Sequence, residues 1–231
     1  MSYIIWKNKH SDTVRGLLIS KLPPITKPQI KTNITEIDGV DGDIIEKIGY
    51  KSYTKILNIA LTRNYDINNV IEYFSGDGYL TFSNEKDKYY KASIVDDIDY
   101  NNLLNFKTAS IKFHVQPFKY KLNEEKIILN VTNQKQIKVI NQGNIESKPL
   151  IEIIGSGSIE LSLNNMHFCS LELSENDNII IDSEKQDAYF GGKLLNNKML
   201  GFFPSLISGE NIITWSGNIS KIIIFPNSRW L

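Results

Sequence analysis

Short runs in which apolar, mostly β-branched residues alternate with polar ones recur along this chain, and they constrain its fold more than any other feature. Tyr53–Leu61, Tyr89–Ile98, Ala109–Phe118, Pro149–Leu163, Asn178–Ser183, Asn211–Gly217 and Ser220–Pro226 carry the pattern and are bounded by Gly, Asn, Asp or Pro. Alternation with period two sends successive side chains to opposite faces, so each run reads as a β-strand. In "KILNIAL" it puts Leu57, Ile59 and Leu61 on the core side and Ile56, Asn58 and Ala60 on the other. "GSGS" at Gly155–Ser158 interrupts one run and reads as a hairpin turn between two strands.

One segment breaks the pattern. In "YDINNVIEYFSGDG" (Tyr65–Gly78), Ile67, Val70, Ile71 and Phe74 fall at the i, i+3, i+4, i+7 spacing of a helical stripe. Asp66 stands where a side chain can accept from the free N–H groups of the first turn, and Gly76 where a left-handed residue can end the helix. Near Tyr120–Glu125 the chain passes into a lysine- and asparagine-rich stretch, after which no helical pattern recurs. The reading is a mainly β protein of two domains: residues 1–120 form a β domain with one helix, and residues 121–231 form an all-β sandwich.

Composition removes several functions. Lysine plus arginine number 26 and aspartate plus glutamate 26, so the basic surplus that phosphate-backbone binding demands is missing and nucleic acid is not an expected partner. A single cysteine, Cys169, forbids an intrachain disulfide and a thiolate zinc cluster within one chain. No run of about 18 apolar residues occurs, so no membrane-spanning helix is expected. "MSYIIWKNKHSD" lacks the apolar core of a signal peptide, and synthesis in the cytosol is the expectation.

Residues able to do chemistry do not assemble into a motif. Asp38, Asp41 and Asp43 in "IDGVDGD" have neither the spacing nor the closing glutamate of a calcium loop, and no Gly-Lys-Ser/Thr follows as in a phosphate loop. With Gly39 and Gly42 between them they read as a turn joining two strands. Asp96, Asp97 and Asp99 resemble paired catalytic carboxylates but read as a solvated strand edge. His10, His114 and His167 form no His-x-His or longer metal pair. His167 and Cys169, two apart in a strand, are poorly placed as base and nucleophile, and the thiol is expected to be inert. Trp6, Trp215 and Trp230 could be sugar platforms, but Trp215 within strand signals reads as core. No catalytic, cofactor-binding or metal-binding residue is therefore assigned, and a binding or assembly role is expected over an enzymatic one.

The order of the segments carries a resemblance. "SYIIWKNKHSDTVRGLLISKLPPITKP" is followed by "IDGVDG", "ILNIAL", the helix with "SGDGYLTFS", "DKYYKA" and "IKFHVQPFKY". Then come "PLIEIIGSGSIELSLN", "IIIDSEKQDAY" and "WSGNISKIIIFPNSRWL". This ordered set, spanning nearly the whole chain, resembles the distal tail proteins of long-tailed, non-contractile bacteriophages and derived prophages. The resemblance implies an amino-terminal β-sandwich with a helix and an extended hairpin, six copies of which close a ring. It also implies a galectin-like carboxy-terminal sandwich on the outside. The ring would join the tail tube protein to the tail-associated hub protein, with the outer domain a carrier for receptor-binding protein, all in the virion tail tip. "IDGVDG" then corresponds to the family's glycine–aspartate turn, departing from it in having Val40 where a basic residue is implied. The alternative is a carbohydrate-binding module that recognises a bacterial wall polymer through the carboxy-terminal sandwich. A galectin-like fold alone does not decide for it, because function lives in sites.

Overall fold

The computed structural model describes residues 2–39 and 41–231, so Val40 lies outside the described residues. It divides into two compact units, one ending at Leu122 and one of Asn123–Trp230, each with its own core. Among the described residues no helix is long and apolar enough to cross a membrane.

In the first unit, strands β1 (Ile4–Trp6), β2 (Lys9–His10), β3 (Leu17–Lys21), β6 (Tyr53–Leu61), β7 (Asp77–Phe82), β8 (Lys88–Ser93) and β9 (Thr108–Lys121) make an antiparallel sheet. Their order is β2-β1-β7-β8-β9-β6-β3. β1 and β9 are three strands apart, roughly 14 Å in a flat sheet. Yet the rings of Trp6 and Phe113 meet edge to face at 5.2 Å, so the sheet folds over its own core. Alternation in β6 holds: Leu57, Ile59 and Leu61 are buried and Ile56 is exposed. Pro117, which cannot donate to a ladder, lies in β9 beyond its pairing with β6 and within the irregularity of its pairing with β8.

Helix α1 spans Ile67–Tyr73, and Asp66 caps it by accepting from the amides of Asn68 and Asn69 at 3.0 and 3.4 Å. Val70, Tyr73 and Phe74 are its buried residues, while Ile71 is 40% exposed, so the buried stripe turns toward Tyr73 and away from Ile71. Tyr73 is held there by donating its hydroxyl to the Lys9 carbonyl at 3.1 Å. The expectation of one helix is corrected by a second, α2 (Tyr100–Phe106). Asp99 caps it, accepting from the Asn102 amide at 2.9 Å and its side-chain nitrogen at 2.8 Å, and Leu103 is fully buried.

Between β3 and β6 the chain leaves this sheet. Among the described residues β4 (Ile30–Glu36) and β5 (Asp43–Tyr50) pair only with each other, as a separate two-stranded arm whose tip carries Asp38, Gly39 and Asp41.

The second unit contains β10 (Ile127–Asn130), β11 (Gln136–Asn141), β12 (Leu150–Leu163), β13 (Met166–Asp182), β14 (Asp187–Phe190), β15 (Lys193–Leu194), β16 (Met199–Gly201) and β17 (Gly209–Phe225). Three of these strands are long enough to serve in two layers. β11 and β16 pair with one end of the β17-β12-β13 set, and β10 and β14 with the other end. Side chains from both ends enter one core: Ile151, Ile179 and Ile222 from one, Leu161, Leu171 and Trp215 from the other. The long strands therefore bend, and a two-layered sandwich results. The bend lies where "GSGS" occurs, which is not a hairpin turn but the middle of β12. A Cβ on Gly155 would stand 2.5 Å from the Asn218 carbonyl oxygen, and one on Gly217 2.3 Å from that of Ser158, so only glycine lets the backbones meet there. The hairpin itself turns at Asn164 and Asn165, whose φ of 51° and 67° suit a two-residue turn of the I′ type.

Candidate interaction surface

Among the described residues the arm of β4 and β5 differs from the other strand pairs in having no core beneath it. Register places Ile34 opposite Ile45 on one face, with Ile44 opposite Thr35 on the other. Ile34, Ile37, Ile44, Ile45 and Ile48 are between 44% and 60% exposed, so neither face is covered. Single exposed isoleucines are ordinary, but four on the strands of a two-stranded ribbon with no core beneath it, and a fifth, Ile37, just past β4, mark a contact surface. A lone two-stranded ribbon is at best marginally stable in water.

Its root is held by a buried charge network. The strap from Leu22 to Gln29 carries the chain from β3 into the arm, and it is fastened through its carbonyls. Lys55, on the core side of β6 and only 3% exposed, donates to the Pro24 carbonyl at 2.8 Å. Asn84 donates to that of Pro23 at 3.3 Å, and the Lys51 amide to that of Gln29 at 2.8 Å. The Lys55 ammonium sits 5.1 Å from the centroid of the Tyr90 ring and 5.5 Å from that of Tyr53, a cation–π cage. Beside it Glu85 accepts from Lys119 at 2.9 Å and from the Tyr90 hydroxyl at 2.6 Å. Burial pushes the Lys55 ammonium down to about 8, with Glu85 opposing that shift and Lys119 adding to it.

That shift has a testable sign. Above about pH 8 the folded chain releases the Lys55 proton, while the unfolded chain keeps it to about pH 10. The unfolded state then binds more protons, so stability rises with pH in that window, by at most about 1.4 kcal/mol per pH unit. Past about pH 10 the trend reverses, because burial holds the Tyr73 and Tyr90 hydroxyls protonated in the fold. Urea midpoints across the window should rise for the wild type relative to Lys55→Met, and parallel curves would refute the assignment.

The residues singled out in the sequence scatter. Asp38, Asp41 and Asp43 sit at the arm tip, exposed, and among the described residues no group of three or more His, Cys, Asp or Glu converges as a metal site. The solvated-strand-edge reading of Asp96, Asp97 and Asp99 is corrected. β8 has ended at Ser93, Asp96 pairs with Lys112 at 3.4 Å, and Asp99 is the α2 cap. Asp97 and Asp99 border an open depression of about 430 Å³ with Asn102, Phe106 and Ser110. His10 accepts from the Asp12 amide and packs tilted against Tyr3 with centroids 4.3 Å apart, and His114 lies opposite Thr54 across the β6–β9 ladder. Cys169 is fully buried, and burial pushes its thiol up to about 12, so no thiolate is present near neutral pH. His167, exposed, turns instead to Glu160 at 3.3 Å and Ser170 at 3.4 Å. Register explains the separation: Leu161 pairs with Cys169 and Ser162 with His167, leaving Phe168 as the extra residue of a bulge. Trp6 and Trp215 are core residues.

No protein-family model matches the chain, and no curated protein sequence matches it. Solved structures do. The crystal structure of the SPP1 Dit protein, described as a paradigm of the hub adsorption apparatus in phages infecting Gram-positive bacteria, superposes over 100% of both chains with a TM-score of 0.73 at 14% identity. The two share a fold. Chains from the phage p2 baseplate in its activated conformation align over 97% of this chain with strontium present and 96% with calcium, covering 97% of their own length in each case. Their identity is 11% and their TM-scores are 0.47 and 0.44, values too low to argue from.

Proposed function

We propose that the chain is a distal tail protein, a structural subunit of the tail tip of a long-tailed, non-contractile phage or of a prophage derived from one. The observation that carries this reading is the end-to-end superposition on SPP1 Dit, a hub protein, with a TM-score of 0.73. The ordered segments of the sequence point to the same family independently of the fold. On this reading residues 1–120 form the ring-closing domain and six copies close head to tail through two different faces of each subunit. The ring joins the tail tube protein to the tail-associated hub protein. Residues 121–231 form the galectin-like outer domain and carry receptor-binding protein. The role is structural and not enzymatic. The arm supports it, because an apolar ribbon uncovered on both faces suits a position between neighbouring subunits.

Negative-stain class averages of the concentrated full-length protein should show six-membered rings. Light scattering should find oligomers of a fragment ending at Leu122 and monomers of one beginning at Asn123. A monomeric amino-terminal fragment beside an oligomeric carboxy-terminal one would overturn the assignment of ring closure.

A further inference from the structure

The chain contains three Asp–Gly pairs: Asp38–Gly39 and Asp41–Gly42 at the tip of the arm, and Asp77–Gly78. An aspartate before a glycine carries an electrophile and a nucleophile within reach of each other. Bonding its side-chain carboxyl carbon to the next backbone nitrogen closes a five-membered ring, and glycine has no Cβ to shield that nitrogen. The ring closes only where the peptide is free to rotate out of an extended conformation. The fold decides which of the three pairs has that freedom.

Asp77 is exposed, as Asp38 and Asp41 are, so access to water does not set the pairs apart. The backbone does. Asp77 and Gly78 open β7 and are laddered to Ser93 and Ala92 of β8, and a Cβ on Gly78 would stand 2.7 Å from Cγ of Lys7. The two tip pairs lie between β4 and β5, outside both strands, with Gly39 and Gly42 at φ of 81° and 89°. Among the described residues, chain neighbours apart, no atom lies within 4 Å of where a Cβ on either glycine would stand. The ribbon that carries them has no core beneath it, so its end opens easily. Asp43 is the contrast at the tip itself. It is laddered to Glu36, and the residue that follows it, Ile44, is branched at Cβ and crowds the nitrogen that would have to attack.

From this we propose that Asp38 and Asp41 are sites of spontaneous isomerisation to isoaspartate, and that Asp43 and Asp77 are not. The Gly39 nitrogen gives up its proton and attacks Cγ of Asp38. The N–Cγ bond forms, the carboxyl loses one oxygen as water, and a succinimide remains. Water then adds to one of the two ring carbonyls. Attack at Cγ restores aspartate. Attack at the α-carbonyl breaks its bond to the Gly39 nitrogen, so the chain runs on through Cγ and the α-carboxylate becomes the side group. One water leaves and one enters, nothing is oxidised or reduced, and the negative charge is kept. The same steps join Asp41 to Gly42. Each conversion adds a methylene carbon to the backbone of the turn, so the tip of an old chain differs in shape from that of a new one. The inference does not depend on the ring reading.

Dilute full-length protein kept for weeks at neutral pH in heavy-oxygen water tests it, because each passage through the ring takes up one solvent oxygen. Mass spectrometry of tryptic peptides should find the label at Asp38 and Asp41. It should accumulate there at least about tenfold faster than at Asp77, which must wait for the ladder to open locally. Asp43 should stay unlabelled. An isoaspartate-specific methyltransferase supplied with labelled S-adenosylmethionine should mark the same two residues. In urea the ladder is gone, and Asp77 should convert as fast as the tip pairs. Asp38→Glu combined with Asp41→Glu keeps both charges but would require a six-membered ring, and should abolish both signals in the arm. Equal labelling of Asp38, Asp41 and Asp77 in the folded chain overturns the proposal. So does a tip that stays unlabelled over the time in which the same peptide converts in urea.

Discussion

Replacing Glu85 by glutamine is expected to cost the amino-terminal unit about 3–5 kcal/mol, the penalty for leaving a buried charge without its partner. The side chains of Glu85 and Lys119 are only 9% and 7% exposed and meet at 2.9 Å. Lys55 lies close by, with its own ammonium buried among aromatic rings. The amide of glutamine keeps the shape and can still accept from the Tyr90 hydroxyl, but it removes the only negative charge of the network. Two buried ammonium groups are then left without a carboxylate. A fall in melting temperature of roughly 10 °C or more should follow. Adding Lys119→Met to Glu85→Gln should recover a large part of the loss, because it removes one of the stranded charges. If the single variant melts within a degree or two of wild type, the network is not a buried one.

Phe74→Ala should be comparably damaging, at about 3–5 kcal/mol, since it leaves a cavity in a packed core. The ring is 3% exposed and meets Tyr73 at 5.0 Å and Phe113 at 6.4 Å, which ties the end of α1 to β9. Ile71→Ala, on the same helix but 40% exposed, should change stability by no more than about 0.5 kcal/mol. The urea midpoints of the two variants check the pair, and equal losses would mean that the helix packs by a different face.

What the sequence revealed follows from which forces are local. α1 was legible because its cap, Asp66, and its apolar residues lie within one short window. α2 carried comparable signals, with Asp99 three residues before Asn102 and Tyr100, Leu103 and Leu104 at helical spacing. They were masked by Asp96 and Asp97, which make the segment look like a solvated edge. The strap network was partly visible. Lys55 shares its parity with Leu57 and Ile59, so alternation alone points it inward, but parity cannot show that Glu85 and Lys119 will arrive beside it from other strands. The bend in β12 was misread because glycine and serine also make turns. What turns "GSGS" into a bend is the approach of Asn218 and Gly217, more than 50 residues away. The arm's lack of cover is likewise beyond a local pattern, because exposure depends on where the remainder of the chain goes.

The bent strands of the second unit also bear on how it responds to load. In a sandwich whose layers are joined only by loops, tension across the layers is resisted by side-chain packing, and they part like two leaves. Here β12, β13 and β17 run through both layers, so the covalent backbone crosses the gap three times within the sheet itself. Prising the layers apart means stripping ladder hydrogen bonds from all three strands together. The unit should therefore yield late and all at once under a pull, as a rivet does and a zip does not.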